Sequence, residues 1–260
     1  MRLGLSSLYL VGQPFEMLLR TIDSSEIKNW EIVDEDTLRL DEKRVKSLQK
    51  LKKKLDLTCT VHAPFEDLNE ATLNMKRRWS TVNMLLGSID LAAKVDAKLW
   101  VVHPGLYSGL DWAYPHRQWS LNLEAIETLR EKAQSLGLDI AVENMPRHSF
   151  ILGSCRDFET FVTERSVNRQ KLAFDIGHAN TFNQVGEFLK QFGNRISHIH
   201  LHDNYGERDE HNMIGRGTVD WSRLKDFLAK SSFQGLMVVE SVKDTLESYR
   251  KVKSMLGVDW

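Results

Sequence analysis

Six side chains of metal-binding type close six successive apolar, β-branched runs. They are His62 in TVHAPF, His103 in VVHPG, Glu143 in AVEN, Asp175 in AFDIGH, His200 in HIHLHD and Glu240 in VVES. Imidazole nitrogens and carboxylate oxygens are ligands for zinc, manganese, iron and related divalent ions. One histidine after a strand means little, whereas six such residues at matching points of six strands point to one metal-binding rim. Three more candidates lie close by: His178, just after Asp175, and the pair Asp209 and His211 in DEH. Asp175 and His178 straddle a strand-to-loop junction and can serve neighbouring ions. DEH alone would be an ordinary solvated loop, and it gains weight by following His200 in the same connection. His198 and His202 share a face with His200, because strand side chains repeat every second residue. Both are expected to support the ligands from behind. Glu66, Asp67, His116 and His148 lack such context and read as surface or rim residues.

The elements that must present these residues alternate along the chain. LGLSS is the first strand and PFEMLLRTI the helix after it. NWEIVDE is the second strand, followed by the basic amphipathic DEKRVKSLQKLKKKL. CTVHAPF, KLWVVHPG, LDIAVEN, KLAFDIGHAN, RISHIHLHD and GLMVVES carry the remaining strands, with a helical stretch after each. The helix over 76–95 sets Trp79, Val82, Leu86, Ile89 and Ala93 at helical spacing. Gly137 is placed to end LNLEAIETLREKAQSLG as a C-terminal cap. In KSLQKLKKKL, Leu48, Leu51 and Leu55 form an inward stripe with lysines outside, the pattern of a solvated outer helix. Eight βα units without a linker predict a single (β/α)8 TIM barrel over 1–260, with its site at the C-terminal ends of the strands. An open doubly wound sheet is the alternative, but it would not need ligands on six strands. Trp112, Tyr114 and Trp119, after the fourth strand, are placed to line a substrate lid or a dimer contact.

Bulk properties narrow the functions. The 260 residues are 42% hydrophobic and 27% charged, the composition of an ordinary globular chain. Thirty-five basic and 36 acidic residues leave a formal charge of −1, so no global pull toward nucleic acid is encoded. Two cysteines, Cys59 and Cys155, far apart in sequence, fit a reducing, cytoplasmic compartment. Cys59 alternates with the His62 face and is expected to point toward the helices. The short apolar start, MRLGLSSLYL, reads as a strand rather than a signal peptide, and no apolar run is long enough to span a bilayer. No G-x-S-x-G elbow or phosphate loop after the first strand is present, and neither cysteine has a histidine placed to mark it as a nucleophile.

On these motifs the whole chain resembles the xylose-isomerase-like TIM barrels, which include endonuclease IV and many sugar or sugar-phosphate isomerases and epimerases. The resemblance to endonuclease IV implies a trinuclear ligand set. His62 and His103 would hold a first zinc, and Glu143 would bridge it to a second. Asp175, His200 and Glu240 would complete the second site, and His178, Asp209 and His211 the third. The flanks depart from that family. Phe65 stands where a tyrosine is usual, DIGH replaces D-[TA]-C-H, and HLHD replaces H-x-N-D. HAPFEDLN, DIGHAN and HLHDNYGERDEH look more like the sugar-phosphate isomerase and epimerase branch.

Two functions follow from the resemblance. The leading expectation is a phosphoesterase with up to three divalent ions, zinc first, with abasic-site DNA as one allowed substrate. The alternative is a sugar or sugar-phosphate isomerase or epimerase. It needs one Mn, Mg, Co or Zn ion at Glu143, Asp175, His200 and Glu240, with Glu143 and Glu240 moving the proton of an enediolate. The five extra ligands favour the first expectation, and the flanking motifs and the lack of basic charge favour the second. No ligand is missing, which argues against a degenerate binding or scaffold barrel.

Overall fold

Short β-branched runs give the strands, and amphipathic stretches with one apolar stripe give the helices that cover them. The computed structural model describes residues 2–110, 113, 114, 116–148, 150–164 and 166–257. Among them the strands are β1 (Arg2–Ser6), β2 (Asn29–Val33), β3 (Thr58–His62), β4 (Trp100–Val102), β5 (Ile140–Glu143), β6 (Lys171–Asp175), β7 (Ile196–Leu201) and β8 (Leu236–Val239). Every neighbouring pair is parallel, and β1 pairs with β8 to close the barrel. Closure sets aside the open-sheet alternative.

The helices are α1 (Phe15–Asp23), α2 (Glu42–Leu55), α3 (Met75–Lys94), α4 (Arg117–Ser135), α5 (Cys155–Thr163), α6 (Ile176–Thr181), α7 (Val185–Phe192), α8 (Trp221–Lys230) and α9 (Thr245–Leu256). Local chemistry fixes several starts. Asp41 caps α2 by accepting from the Arg44 amide, and Ser154 and Asp157 form a reciprocal capping box on α5. Gly137 follows α4 with φ +69°, as the sequence predicts. Helix α2 buries Val45, Leu48 and Leu51 and turns its lysines outward. The stripe of α3 differs from expectation. Val82, Leu85, Ile89 and Ala92 are buried, whereas Trp79 is 55% exposed. Trp119 also differs, since it packs against the core and its indole donates to Glu164 at 3.1 Å. Tyr114 is exposed, and Trp112 lies outside the described residues. No helix among the described residues is long and apolar enough to cross a membrane.

Strand alternation splits the core into two layers. Outward residues such as Cys59, Trp100, Val102, Ile140, Val142 and Phe174 join the large apolar cluster under the helices. Inside the barrel, Leu99, Val101, Ala141 and Ala173 form a separate small cluster. The other side of the interior is polar, with Glu31, Thr60, His198 and His200 all buried. This asymmetry matters for the site directly above.

Candidate metal centre

The C-terminal strand ends bring all nine sequence-identified residues to one mouth, with Glu143 at the centre. Its Oε2 lies 3.3 Å from His62 Nε2 and 3.4 Å from His103 Nε2. Its Oε1 lies 2.9 Å from His200 Nδ1 and 3.4 Å from His178 Nδ1. His200 Nδ1 is also 3.4 Å from Glu240 Oε2 and 3.9 Å from Asp175 Oδ2. On the far side, His178 Nε2 and His211 Nε2 stand 3.1 and 3.2 Å from Asp209 Oδ2. Among the described residues five groups have ligand atoms within 4.8 Å of one another: His62, His103 and Glu143; Asp175, His200 and Glu240; His178, His202, Asp209 and His211; Glu143, Asp175 and His178; and, deeper, Glu31, His198 and His200. A cavity of about 400 Å³ opens above them. Glu66, Asp67, His116 and His148 are exposed, as the sequence implies.

The donor set can be tested by following its protons. His62 Nδ1 is 2.8 Å from the Ala63 carbonyl, His178 Nδ1 2.8 Å from the Asn144 carbonyl, and His211 Nδ1 2.9 Å from the Glu240 carbonyl. A carbonyl only accepts, so each Nδ1 carries the proton and donates it there. In the neutral rings, Nε2 then aims a lone pair at a carboxylate oxygen of Glu143 or Asp209. Two acceptors face each other unless a cation or an extra proton stands between them. Far-side anchoring of this kind orients histidines toward a metal ion, and mixed imidazole and carboxylate sets hold divalent cations. The residues present therefore fit a divalent ion.

Electrostatics without an ion shows the same tension. Burial works to raise the Glu143 carboxyl, but His200, His103 and His62 outweigh it and hold it well below the usual carboxylate range. Burial raises Glu240, and the like charges of Glu31 and Glu143 reinforce it against His200 and His211. Burial opposes a proton on His178 and His200, yet the surrounding carboxylates push both well above the ordinary imidazole range. His211, beside Asp209, is pushed up to about 9 against its own burial.

Supporting residues fix this arrangement. Asp203, fully buried two residues past the end of β7, ties down the loop that carries Asp209 and His211. Its carboxylate accepts from the backbone of Gly215 at 2.7 Å and Val219 at 3.2 Å, and from the Trp221 indole at 3.2 Å. His211 adopts φ +46°, an unfavourable conformation for a non-glycine residue. Its carbonyl accepts from the Val242 amide, which ties it to the segment after β8. His202, expected behind the ligands, has Nε2 3.0 Å from Asp175 Oδ1 and stacks on His211 at 3.8 Å. Its ring fills the space over Gly177, where a Cβ would lie 2.1 Å from His202 Cε1.

Sequence reasoning missed Glu31. This carboxylate is fully buried below the mouth, 2.9 Å from His200 Nε2 and 2.8 Å from His198 Nε2, and it accepts from Thr60 Oγ1 at 2.9 Å. Both imidazole approaches are off the N–H axis, so Glu31 acts on them more through charge than through a directed hydrogen bond. The available signal was one glutamate inside the otherwise apolar strand WEIV.

A family model described as "Xylose isomerase-like TIM barrel" matches residues 22–256. The chain belongs to this family. Protein MJ1311 of Methanocaldococcus jannaschii is 32% identical over 99% of this chain and 90% of its own length. A crystal structure of a D-tagatose 3-epimerase-like protein superposes with a TM-score of 0.91 at 30% identity, covering 99% of this chain and 97% of that one. A D-psicose 3-epimerase of Enterocloster bolteae is 26% identical over 58% of this chain and 51% of its own. Two of these three proteins carry names of ketose 3-epimerases or their likes. They favour the epimerase alternative over the endonuclease-like expectation that the ligand count put first.

Proposed function

We propose that this chain is a divalent-metal-dependent epimerase or isomerase acting on a sugar-like α-hydroxy ketone. The observation that carries the reading is the pair Glu143 and Glu240, both within 3.4 Å of His200 Nδ1 at the base of one cavity. Similarity to proteins named as ketose 3-epimerases supports it. An ion held by Glu143, Asp175, His200 and Glu240 would polarise the substrate carbonyl and stabilise the enediolate charge. The chain itself moves the proton. Glu143, kept ionised by its imidazole neighbours, accepts the proton from the carbon beside the carbonyl. Glu240, whose carboxyl burial pushes above its ordinary range, is the group that returns a proton from the other side. His200 Nδ1 is within reach of both carboxylates.

The test is deuterium uptake at that carbon, followed by proton NMR in D2O with chelated and metal-reloaded protein. Uptake should require the metal, and Glu143→Gln and Glu240→Gln should each lower it by at least about a hundredfold.

A second reading keeps the phosphoesterase. It is favoured by the complete His62/His103/Glu143 and His178/Asp209/His211 groups, which an epimerase with one ion does not require. Three ions per chain, cleavage of abasic DNA and no exchange with any ketose would replace the first reading by this one.

A further inference from the structure

The end of the barrel opposite the metal centre is open and polar. Inward side chains of TIM-barrel strands usually fill the interior in layers of bulky apolar residues. Here Arg2, Thr60, Lys171 and His198 surround a cavity of about 340 Å³ at the N-terminal ends of the strands. Among the described residues that line it, three cationic side chains, Arg2, Lys98 and Lys171, meet one carboxylate, Asp139. Lys171 neutralises that carboxylate at 2.6 Å. Lys98 lies 3.3 Å from Asp96, which Lys52 already holds. Arg2 has no ion-pair partner among the described residues.

We propose that this cavity is a binding site for a phosphate group, either inorganic phosphate or the end of a small phosphomonoester. Such a group carries close to two negative charges near neutral pH and several acceptor oxygens. The guanidinium fork of Arg2 and the ammonium of Lys98 are donors of the kind that holds it. Two buried groups at the cavity lack partners of their own. The Ser197 hydroxyl has none, and neither ring nitrogen of the fully buried His198 makes a directed hydrogen bond. An imidazole always presents at least one N–H, and buried polar groups are seldom left unpaired. Excess positive charge over unpaired buried donors suits a guest rich in acceptors.

The position of the guest is bounded on its inner side. Glu31 lies 2.8 Å from His198 Nε2, and its negative charge keeps an anion out toward the cationic rim. The phosphate group therefore stays at the lower opening and does not pass up to the metal centre. The site is independent of the reaction proposed above, because the two openings lie at opposite ends of the barrel.

The test titrates the metal-loaded protein with inorganic phosphate and with glycerol phosphate at constant ionic strength, read from backbone amide shifts by NMR. The Ser197 and Gly235 amides should shift and saturate with a Kd of about 1 mM or tighter, the reach of two or three charge-assisted hydrogen bonds. Arg2→Gln should weaken this binding about tenfold. Asp139→Asn, which frees Lys171, should tighten it. The tighter of the two compounds identifies the source of the phosphate group. Shifts that chloride reproduces, saturation confined to Gly105 and Gly177 at the metal-centre end, or an unchanged Kd in folded Arg2→Gln protein would each overturn the site.

Discussion

Replacing Glu31 by glutamine tests whether the centre is tuned from beneath. Burial works to raise this carboxyl, but His200 and His198 outweigh it and hold it well below the usual carboxylate range. Glu31 is therefore ionised in the fold, and Glu31→Gln removes a full negative charge while keeping the shape of the side chain. The Thr60 hydroxyl, 2.9 Å away, keeps an acceptor or rotates to become one. What is lost is the charge 2.9 Å behind His200 Nε2, on the ring whose Nδ1 faces Glu143 and Glu240. Carboxylates in that position typically contribute 10- to 100-fold to metal affinity, about 1.4 to 2.8 kcal/mol. Competition titration against a fluorescent chelator should show a loss of that size. The thermal midpoint of the chelated protein should change much less than in Glu31→Ala, which also opens a void under His198 and His200. A folded Glu31→Gln protein that binds metal as tightly as wild type would refute the argument.

Other outcomes are equally specific. Gly177→Ala drives a Cβ into the His202 ring and should cost about 1–3 kcal/mol in denaturant unfolding. Adding His202→Ala should recover part of that loss, and strict additivity of the two changes would argue against the contact. Burial raises the Glu70 carboxyl to about 7 from an ordinary 4.5, with Arg78 only partly opposing it. A raised folded-state pKa gives stability that is present below about pH 4.5 and lost as the pH rises through 7. Glu70→Gln should therefore be more stable than wild type at pH 8, and chemical denaturation should show the difference closing toward pH 4.5. Burial pushes the Cys59 thiol up to about 11, so alkylating reagents at pH 7 should leave it unmodified until the protein unfolds.

The barrel was legible because its two periodicities are strong and because each ligand marks the end of its own strand. The ligand groups were legible for the same reason, since parallel closure sends every strand end to one mouth. Contacts between residues remote in sequence were not legible. Gly177 and His202 each stood out as a departure from the endonuclease pattern, yet nothing in the sequence says that one ring fills the gap left by the other. Glu31 was visible as an odd charge in β2, but its role depends on β7 lying across the barrel interior. The buried stripe of α3 keeps Val82 and Ile89 but is turned toward Leu85 and Ala92 and away from Trp79. The order of the two functional expectations was set by counting ligands. Phosphoester and proton-transfer chemistry share most of those ligands, so the flanking motifs carried the better information.

The Asp203 carboxylate has a consequence for how this barrel can change. One buried side chain grips the loop near its root, at Gly215 and at Val219, and the backbones of Asp203 and Asn212 pair in both directions. The segment between is a cassette with its own fastening. Its rim residues Glu207 and Arg208 are exposed, so they can be replaced or lengthened without transmitting strain to β7. New selectivity could thus be acquired by exchanging this cassette between related barrels while Glu143 on β5 and Glu240 after β8 stay where they are.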